Sequence, residues 1–296
     1  MFQGFVRKRV QVNGVEINLV QGGDGPPLLL LHGHPQTHVI WHKVAGTLAQ
    51  RFTVVATDLR GYGDSGKPRG LPDHGNYAKR VMAQDQVEAM AALGHRCFLI
   101  LAHDRGARVA HRLAVDHPER VVKLATLDIA PTLAMYEKTN LAFAKAYFHW
   151  FFLIQPEPLP ETLIGADPEL YLRQVMGNRS AGLAPFTDEA LAEYGRALRD
   201  PAAIHGLCED YRASAGIDLE HDREDLHRGR KVVCPMLALW AAKGAVGQVV
   251  NPLEEWRRVA SDVRGKALDC GHYIPEEAPD ALLAEVLPFF LDGPAG

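Results

Sequence analysis

Several features that mark particular classes of protein are absent from this 296-residue chain. No run of about 18 apolar residues occurs, so we expect no membrane-spanning helix. Residues 1–10 carry charges and lack the apolar stretch of a secretory signal peptide, so we expect none. Internal repeats and low-complexity tracts are also missing, which argues against a solenoid or a disordered segment.

Basic residues are not in excess, because the formal net charge is −4. A binder of nucleic acid or of an anionic membrane would carry a basic patch or a positive balance. The four cysteines show neither a CxxC pair nor metal-site spacing, and we expect buried thiols in a reducing compartment and a cytoplasmic protein. They are Cys97, Cys208, Cys234 and Cys270.

The first part of the chain alternates strand and helix signals. Short apolar, β-rich runs predict strands at 15–20, 28–31, 52–57, 98–101 and 121–127. Helical patterns lie at 41–50, 77–93 and 105–116. Continuously apolar strands separated by helices are typical of a mostly parallel sheet with helices on both faces.

The pattern changes after residue 131. Residues 132–219 are helical without a convincing strand, and then strand signals at 236–240 and 265–269 alternate with helix signals at 253–259 and 278–291. We therefore predict an α/β core formed by residues 1–131 and 220–296, interrupted by a helical lid at 132–219.

A reactive carboxylate stands at a sharp turn after the predicted strand at 98–101. The sequence Ala-His-Asp-Arg-Gly places small residues two positions before and after Asp104, and a helical pattern follows. This is the layout of a nucleophile elbow, although a loose pentad of this kind also matches by chance. An Asp nucleophile forms an ester with a carbon of the substrate, which indicates alkyl transfer.

Two further side chains complete a predicted catalytic triad. Ligands of an open parallel sheet bind beyond the carboxyl ends of its strands, where Asp104, Asp128 and His272 all fall. Asp128 would orient His272, which would activate water; no carboxylate follows the strand at 236–240. The alternatives are that Asp128 is a cap or turn residue and His272 an ordinary loop histidine. Backbone N–H groups of His34 and Arg105 would form the oxyanion hole.

Arg105 and Arg108 lie on one face of the first turn after the elbow. Two guanidinium groups there could clamp a substrate carboxylate with bidentate hydrogen bonds. The alternative is that Arg108 pairs with a structural carboxylate such as Asp128 or Asp116.

The predicted lid contains an aromatic stripe at residues 147–152. Such a stripe usually packs in a helix core. However, the ring N–H groups of His149 and Trp150, together with the hydroxyl of Tyr211, could also stabilise a leaving anion.

Taken together, these motifs resemble the haloacetate dehalogenases, specifically the fluoroacetate dehalogenase group of the α/β-hydrolase fold. The resemblance covers essentially the whole chain. It rests on HGHPQT at 32–37, DLRGYGDS at 58–65, HDRGAR at 103–108, FHW at 148–150 and EDYR at 209–212. The Asp58–Ser65 stretch is shared with many relatives, whereas the elbow with the lid His-Trp pair is specific.

The resemblance implies hydrolytic dehalogenation of short 2-haloacids, such as haloacetate or fluoroacetate to glycolate plus halide. Asp104 would displace the halide, Arg105 and Arg108 would hold the carboxylate, and His272 with Asp128 would hydrolyse the ester. The halide would be received by His149, Trp150 and Tyr211. The resemblance also implies a homodimer that acts on a small molecule, without a cofactor or metal.

Two departures from that group concern the pocket. His34 stands where its members carry Phe, and a Trp near Asn178 and Arg179 is missing. A lost donor can cost about 3–4 kcal/mol, so chloro- and bromoacetate would tolerate this pocket better than fluoroacetate.

Two other functions remain open from the sequence. An epoxide hydrolase uses the same triad and would need lid tyrosines such as Tyr147 and Tyr211, but an epoxide offers no carboxylate to Arg105 and Arg108. A non-catalytic receptor of the same fold would not need a complete triad.

Overall fold

The computed structural model describes residues 1–179 and 181–292. Within them, one sheet contains eight strands in the order β1-β2-β4-β3-β5-β6-β7-β8. Neighbours from β4 through β8 run parallel, while β2 is antiparallel to both β1 and β4. The strands are β1 Val6–Val12, β2 Val15–Gly22, β3 Pro27–Leu31, β4 Thr53–Thr57, β5 Phe98–His103, β6 Val121–Leu127, β7 Met236–Ala241 and β8 Val263–Leu268.

Helices cover both faces of this sheet, which confirms the predicted fold class. Leu29 and Leu31 of β3 pack into one apolar cluster, and Leu28 and Leu30 pack into another, because alternate strand residues point to opposite faces. The central strand β5 is buried along its whole length, as expected for a parallel strand covered on both sides.

The helical segments vary greatly in length. Two short 3₁₀ segments are His38–Trp41 and Gly75–Tyr77. The α-helices before β7 are α1 Ala45–Leu48, α2 Lys79–Ala92, α3 Asp104–Asp116, α4 Thr132–Glu137, α5 Leu141–Ala146, α6 Phe148–Phe152, α7 Leu159–Ala166, α8 Pro168–Asn178, α9 Asp188–Leu198, α10 Pro201–Ala215 and α11 Ile217–Arg228. After β7 come α12 Val246–Val249, α13 Pro252–Val259, α14 Ile274–Glu277 and α15 Pro279–Leu291.

Most predicted elements are present, with two differences. The strand β1 was missed because three consecutive charged residues, positions 7–9, hide the alternation of an exposed strand at the sheet edge. Of the predicted helix at 41–50, only the short α1 is α-helical, and the 3₁₀ turn capped by the Thr37 hydroxyl ends where the predicted helix begins.

The described segments between β6 and β7 contain helices and no strand, apart from the isolated bridge at Val232. Helix α11 runs across the predicted lid boundary at residue 219. The division into core and lid therefore stays a prediction. Among the described residues, no helix is long and apolar enough to cross a membrane.

One expectation about the cysteines is wrong. Cys208, Cys234 and Cys270 are buried, but Cys97 is exposed. It lies just before β5, where the chain enters the sheet from its surface, and its sulfur donates to the Glu119 carbonyl.

The buried carboxyl group of Glu276 contacts side chains from two other segments of the chain. The Tyr194 hydroxyl of α9 donates to Glu276 Oε1 at 2.6 Å, and Lys43 Nζ lies 3.6 Å from Oε2. Burial raises the pKa of Glu276 to about 7, against the opposing influence of Tyr194 and Lys43. Because the pKa is raised on folding, the contribution to stability is greatest below pH 4.5 and is lost as pH rises through 7.

We expect Glu276→Gln to raise Tm at pH 8 by roughly 2 °C or more relative to the parent protein, because no charge is then buried. The difference should shrink at pH 5, where the parent carboxyl group is already protonated. Thermal unfolding at both pH values measures this, with the exposed Glu224→Gln as control. An equal Tm difference at pH 5 and pH 8 would contradict the assignment.

Candidate active site

The predicted elbow is a sharp turn between β5, which ends at His103, and α3, which begins at Asp104. Asp104 has φ of +45°, in the left-handed region that side chains rarely adopt. A Cβ at Gly33 would lie 2.4 Å from the Asp104 Cβ, and one at Gly106 would lie 2.4 Å from the His32 carbonyl oxygen. Glycine at both positions lets the 32–36 loop pack directly against the elbow.

The structure brings together the three residues predicted as a triad. His272 Nδ1 donates to Asp128 Oδ2 at 2.6 Å, and His272 Nε2 lies 3.1 Å from Asp104 Oδ2. Asp128 follows β6, and its Oδ1 accepts the Ala241 N–H at 2.9 Å. All three side chains are at most 3% exposed. This order and geometry are those of a nucleophile, a base and the carboxylate that orients the base.

Asp104 is held as an anion despite its burial. Burial by itself would raise the pKa of Asp104, but its contacts with His272 and with the guanidinium of Arg179 hold the pKa well below the usual range. Behind the base, His103 Nε2 bonds the His272 carbonyl oxygen at 2.9 Å, and burial lowers the pKa of His103 to about 3. His103 is therefore a neutral support for the loop that carries His272.

Arg179, to which the sequence assigned no role, lies at the centre of the site. Its Nη2 donates to Asp104 Oδ2 at 3.3 Å and lies 2.6 Å from His272 Nε2. The side chain is 8% exposed, and the Arg179 carbonyl accepts the His272 N–H at 2.9 Å. It stands in the region where the resemblance to the dehalogenases predicts a Trp.

Arg105 is fully buried and paired with a carboxylate. Its Nε and Nη2 donate to both carboxylate oxygens of Asp210 at 2.8 and 2.9 Å, and Nη2 also donates to Ser214 Oγ. Lys79 and the Tyr62 hydroxyl contact the same carboxylate. The charge of Arg105 is therefore compensated within the protein, although its Nη1 has no partner among the described residues.

Arg108 differs from Arg105 in its partners. Its Nη1 donates to the Ala130 carbonyl at 3.1 Å and to the Thr132 hydroxyl at 2.9 Å, and its guanidinium lies over the Trp150 ring. Among the described residues it forms no ion pair, and its Nε has no hydrogen-bond partner. The open alternative of a pair with Asp128 or Asp116 is thus not found.

The residues predicted to receive an anion lie side by side. The ring centroids of His149 and Tyr211 are 5.9 Å apart, and those of Trp150 and Tyr211 are 6.4 Å apart. Within the described residues, His149 Nε2, Trp150 Nε1 and the Tyr211 hydroxyl are buried without a hydrogen-bond partner. Buried polar atoms are normally satisfied, so these three adjacent groups have the capacity to hydrogen-bond an anion placed between them.

His34 places its ring in the same cluster. It stacks on His149 with centroids 5.6 Å apart, and its Nε2 bonds the Tyr171 hydroxyl at 3.1 Å. Burial lowers the pKa of His34 to about 3, so this ring is neutral. Arg105 is the second residue of α3, where a backbone N–H has no partner within the helix.

One cluster among the described residues has spacing suited to a metal: Glu157, Glu161 and His205. Both carboxylates pair with arginine, Glu157 with Arg69 and Glu161 with Arg212. The Gly70 N–H donates to His205 Nε2, which leaves the proton on Nδ1, the atom that would have to bind the metal. These donors therefore do not fit a metal ion.

Two important residues had weak sequence signals. Asp210 belongs to a motif that the resemblance used, but nothing local shows that it neutralises Arg105. Arg179 is 75 residues from Asp104 in sequence and ends α8, so only tertiary packing brings the two together.

Known proteins with similar sequences and structures combine this fold with hydrolytic activities. A family model described as the alpha/beta hydrolase fold matches residues 26–279. A fluoroacetate dehalogenase from Burkholderia sp. is 46% identical over 100% of this chain and 97% of that protein. A soluble epoxide hydrolase from Corynebacterium sp. is 34% identical over 95% of this chain and 96% of that protein.

A solved structure described as an alpha/beta hydrolase from Nostoc sp. is also similar. It has a TM-score of 0.97 and 57% identity, covering 99% of this chain and 100% of that chain. The Burkholderia protein and the family model confirm the resemblance inferred from the motifs.

We expect Asp210→Asn to lower the free energy of unfolding by about 3–5 kcal/mol, because Arg105 would stay buried without its compensating charge. Denaturant unfolding measures this change. The control is Asp269→Asn, which removes an 84% exposed carboxylate paired with an exposed lysine and should shift stability little. Equal effects of the two substitutions would show that Arg105 does not depend on Asp210.

Proposed function

This chain belongs to the α/β-hydrolase fold family, and we propose that it hydrolyses the carbon–halogen bond of short 2-haloacids. The observation that carries the proposal is a buried anionic nucleophile, Asp104, with a buried cation, Arg108, that forms no ion pair within the described residues. A substrate that carries both a carboxylate and an electrophilic α-carbon fits this combination. The similarity to a fluoroacetate dehalogenase supports the same conclusion.

In the first step, a carboxylate oxygen of Asp104 attacks the α-carbon of the haloacid. A carbon–oxygen bond forms while the carbon–halogen bond breaks, and the halide leaves with the bonding electron pair. The product is an ester between Asp104 and the substrate carbon. The low pKa of Asp104 keeps the nucleophile ionised for this attack.

In the second step, His272 removes a proton from water, and the resulting hydroxide attacks Cγ of the Asp104 ester. Backbone N–H groups of Arg105 and His34 would stabilise the oxyanion. Collapse of this intermediate breaks the ester bond, and the departing alkoxide takes the proton from His272 to give the 2-hydroxy acid. Asp104 then loses the second proton of the water to solvent and is ionised again. Asp128 holds His272 in the required tautomer.

We assign the substrate carboxylate first to Arg108. Its Nε has no hydrogen-bond partner among the described residues, and it lies one turn of α3 after the nucleophile. Arg105 would contribute its remaining Nη1 group, since Asp210 already neutralises its charge. The resulting clamp is asymmetric, with most of the electrostatic attraction coming from Arg108.

We assign the departing halide to the unpartnered donors of His149, Trp150 and Tyr211. Chloro- and bromoacetate are expected to be easier substrates than fluoroacetate. Fluoride is small and strongly hydrated, and Arg179 rather than a Trp stands near the site.

Epoxide hydrolysis is the second candidate, favoured by the similarity to the Corynebacterium protein. Tyr147 and Tyr211 are buried in the cluster and could protonate an epoxide oxygen. An epoxide has no carboxylate that could pair with Arg108, and therefore epoxide hydrolysis ranks second.

We further propose a cytoplasmic location and a homodimer. Four cysteines without a disulfide within the described residues support a reducing compartment. Large apolar side chains exposed on α5 to α8 support self-association: Leu141, Phe148, Leu159, Leu163 and Leu170.

Halide release from chloroacetate, measured beside diol formation from styrene oxide, tests the reaction. We expect halide release, and its complete loss in Asp104→Asn. His272→Asn should form the ester but not hydrolyse it, so mass spectrometry should find the adduct on the peptide that contains Asp104. Diol formation without halide release would contradict the proposal, and an unmodified Asp104 in His272→Asn would contradict the two-step mechanism.

Arg108→Ala should raise KM for chloroacetate about 10- to 100-fold, because a charged hydrogen bond to the carboxylate contributes about 1.5–3 kcal/mol. Turnover of chloroacetamide, which lacks a carboxylate, should change far less. Arg80→Ala, at a partly exposed position on α2, serves as control. Equal losses with both substrates would instead assign Arg108 to its structural contacts with Ala130 and Thr132.

A further inference from the structure

The guanidinium of Arg179 bridges the nucleophile and the base. When the ring of His272 is neutral and its Nδ1 proton faces Asp128, Nε2 is the acceptor nitrogen. Arg179 Nη2 carries two hydrogens, and it can donate one to Nε2 at 2.6 Å and the other to Asp104 Oδ2 at 3.3 Å. One nitrogen of Arg179 therefore covers both reactive atoms.

This position conflicts with ester hydrolysis. A water activated by His272 must lie within hydrogen-bond distance of Nε2, which is where Arg179 Nη2 lies. In addition, taking a proton from water turns His272 into a cation, which a guanidinium in contact would repel. Arg179 has to move away before His272 can act as a base.

The charge of Asp104 explains why Arg179 lies there. The side chain is 8% exposed, and Asp104 is the carboxylate with which it forms an ion pair among the described residues. The rings of Tyr147 and Tyr273 flank the guanidinium at 5.3 and 5.7 Å from its central carbon. Formation of the ester would remove the negative charge of Asp104 and with it most of the attraction.

We propose that Arg179 is a gating residue, which covers the water position at His272 while Asp104 is ionised and leaves it once Asp104 becomes an ester. The inference rests on the proposed roles of Asp104 and His272. The reaction itself therefore opens the gate, since alkylation of the nucleophile is the event that neutralises the partner of Arg179.

A place to receive the displaced guanidinium adjoins the site. Arg179 and His272 line a cavity of about 470 Å³. Glu277 and Asp269 lie in the same wall; Asp269 already pairs with Lys243, so Glu277 is the carboxylate that a cation turning into the cavity would meet. Glu277 already accepts the backbone N–H groups of Gly271 and Tyr273, which holds its carboxylate beside the base.

A structure of Asp104→Asn tests the charge dependence without any substrate. The amide is neutral and similar in shape to the carboxylate, and so it imitates the charge state of the ester. We expect the Arg179 guanidinium to move away from position 104 and from His272 and to turn toward Glu277. An unmoved guanidinium would overturn the proposal, whatever the enzyme's substrate proves to be.

Single-turnover kinetics of Arg179→Met tests the consequence for the reaction. Rapid quenching with chloroacetate, followed by mass spectrometry of the peptide that contains Asp104, gives the rates of ester formation and decay. Ester decay should not slow, because Arg179 has already left the ester, whereas ester formation at low pH should slow, because Asp104 loses the cation that favours its ionised form. Arg173→Met, at an exposed position on the same helix α8, is the matched control and should leave both rates unchanged.

The outcomes separate this inference from the proposed function. Slower ester decay in Arg179→Met would overturn the gate and indicate that Arg179 assists hydrolysis. If the parent enzyme forms no ester and releases no halide, the proposed function fails, while the Asp104→Asn structure still decides the gate. That structure also provides the test if Arg179→Met does not fold.

Discussion

Asp104 has to remain ionised although it is only 2% exposed, and the residues around it make this possible. Burial favours the neutral acid, so positive or hydrogen-bonding partners must lie within a few ångströms. Arg179 supplies the positive charge, and its Nη2 bridges the carboxylate and His272 Nε2, although the three residues come from segments distant in sequence. The 32–36 loop packs directly against the elbow, and this close approach requires glycine at positions 33 and 106. The packing limits the space around the Asp104 carboxylate into which its partners must fit.

The buried cations around the elbow divide according to their partners. Arg105 and Lys79 share Asp210 and belong to the structural framework. Arg108 forms no ion pair among the described residues, and Arg179 pairs with the nucleophile itself. Because no carboxylate neutralises Arg108, its charge is available to an anionic substrate. Arg179 is paired with the nucleophile, and in the proposed gate its position depends on whether Asp104 is ionised or esterified. This division connects charge burial to the proposed carboxylate specificity and to the proposed gate.

Much of the architecture could be predicted because parallel strands carry a local signal. Continuous apolar runs identified seven strands, and the turn residues after them identified Asp104, Asp128 and His272 as neighbours at one sheet edge. The edge strand β1 escaped because its charged, exposed residues do not produce that signal. The exposed position of Cys97 escaped for a related reason, since burial at the start of a strand depends on what covers it.

The sequence by itself determined the α/β order of elements, the elbow with a carboxylate at its centre, and the family resemblance, because each depends on residues close together along the chain. Only the tertiary structure decided which charges meet. Asp210 neutralises Arg105 from a helix 105 residues later, and Arg179 reaches Asp104 from the end of α8. Ion pairs form through space and leave no periodic pattern in the sequence. Only the fold therefore showed that Arg105 is paired whereas Arg108 is not, and that Arg179 is a third arginine at the site.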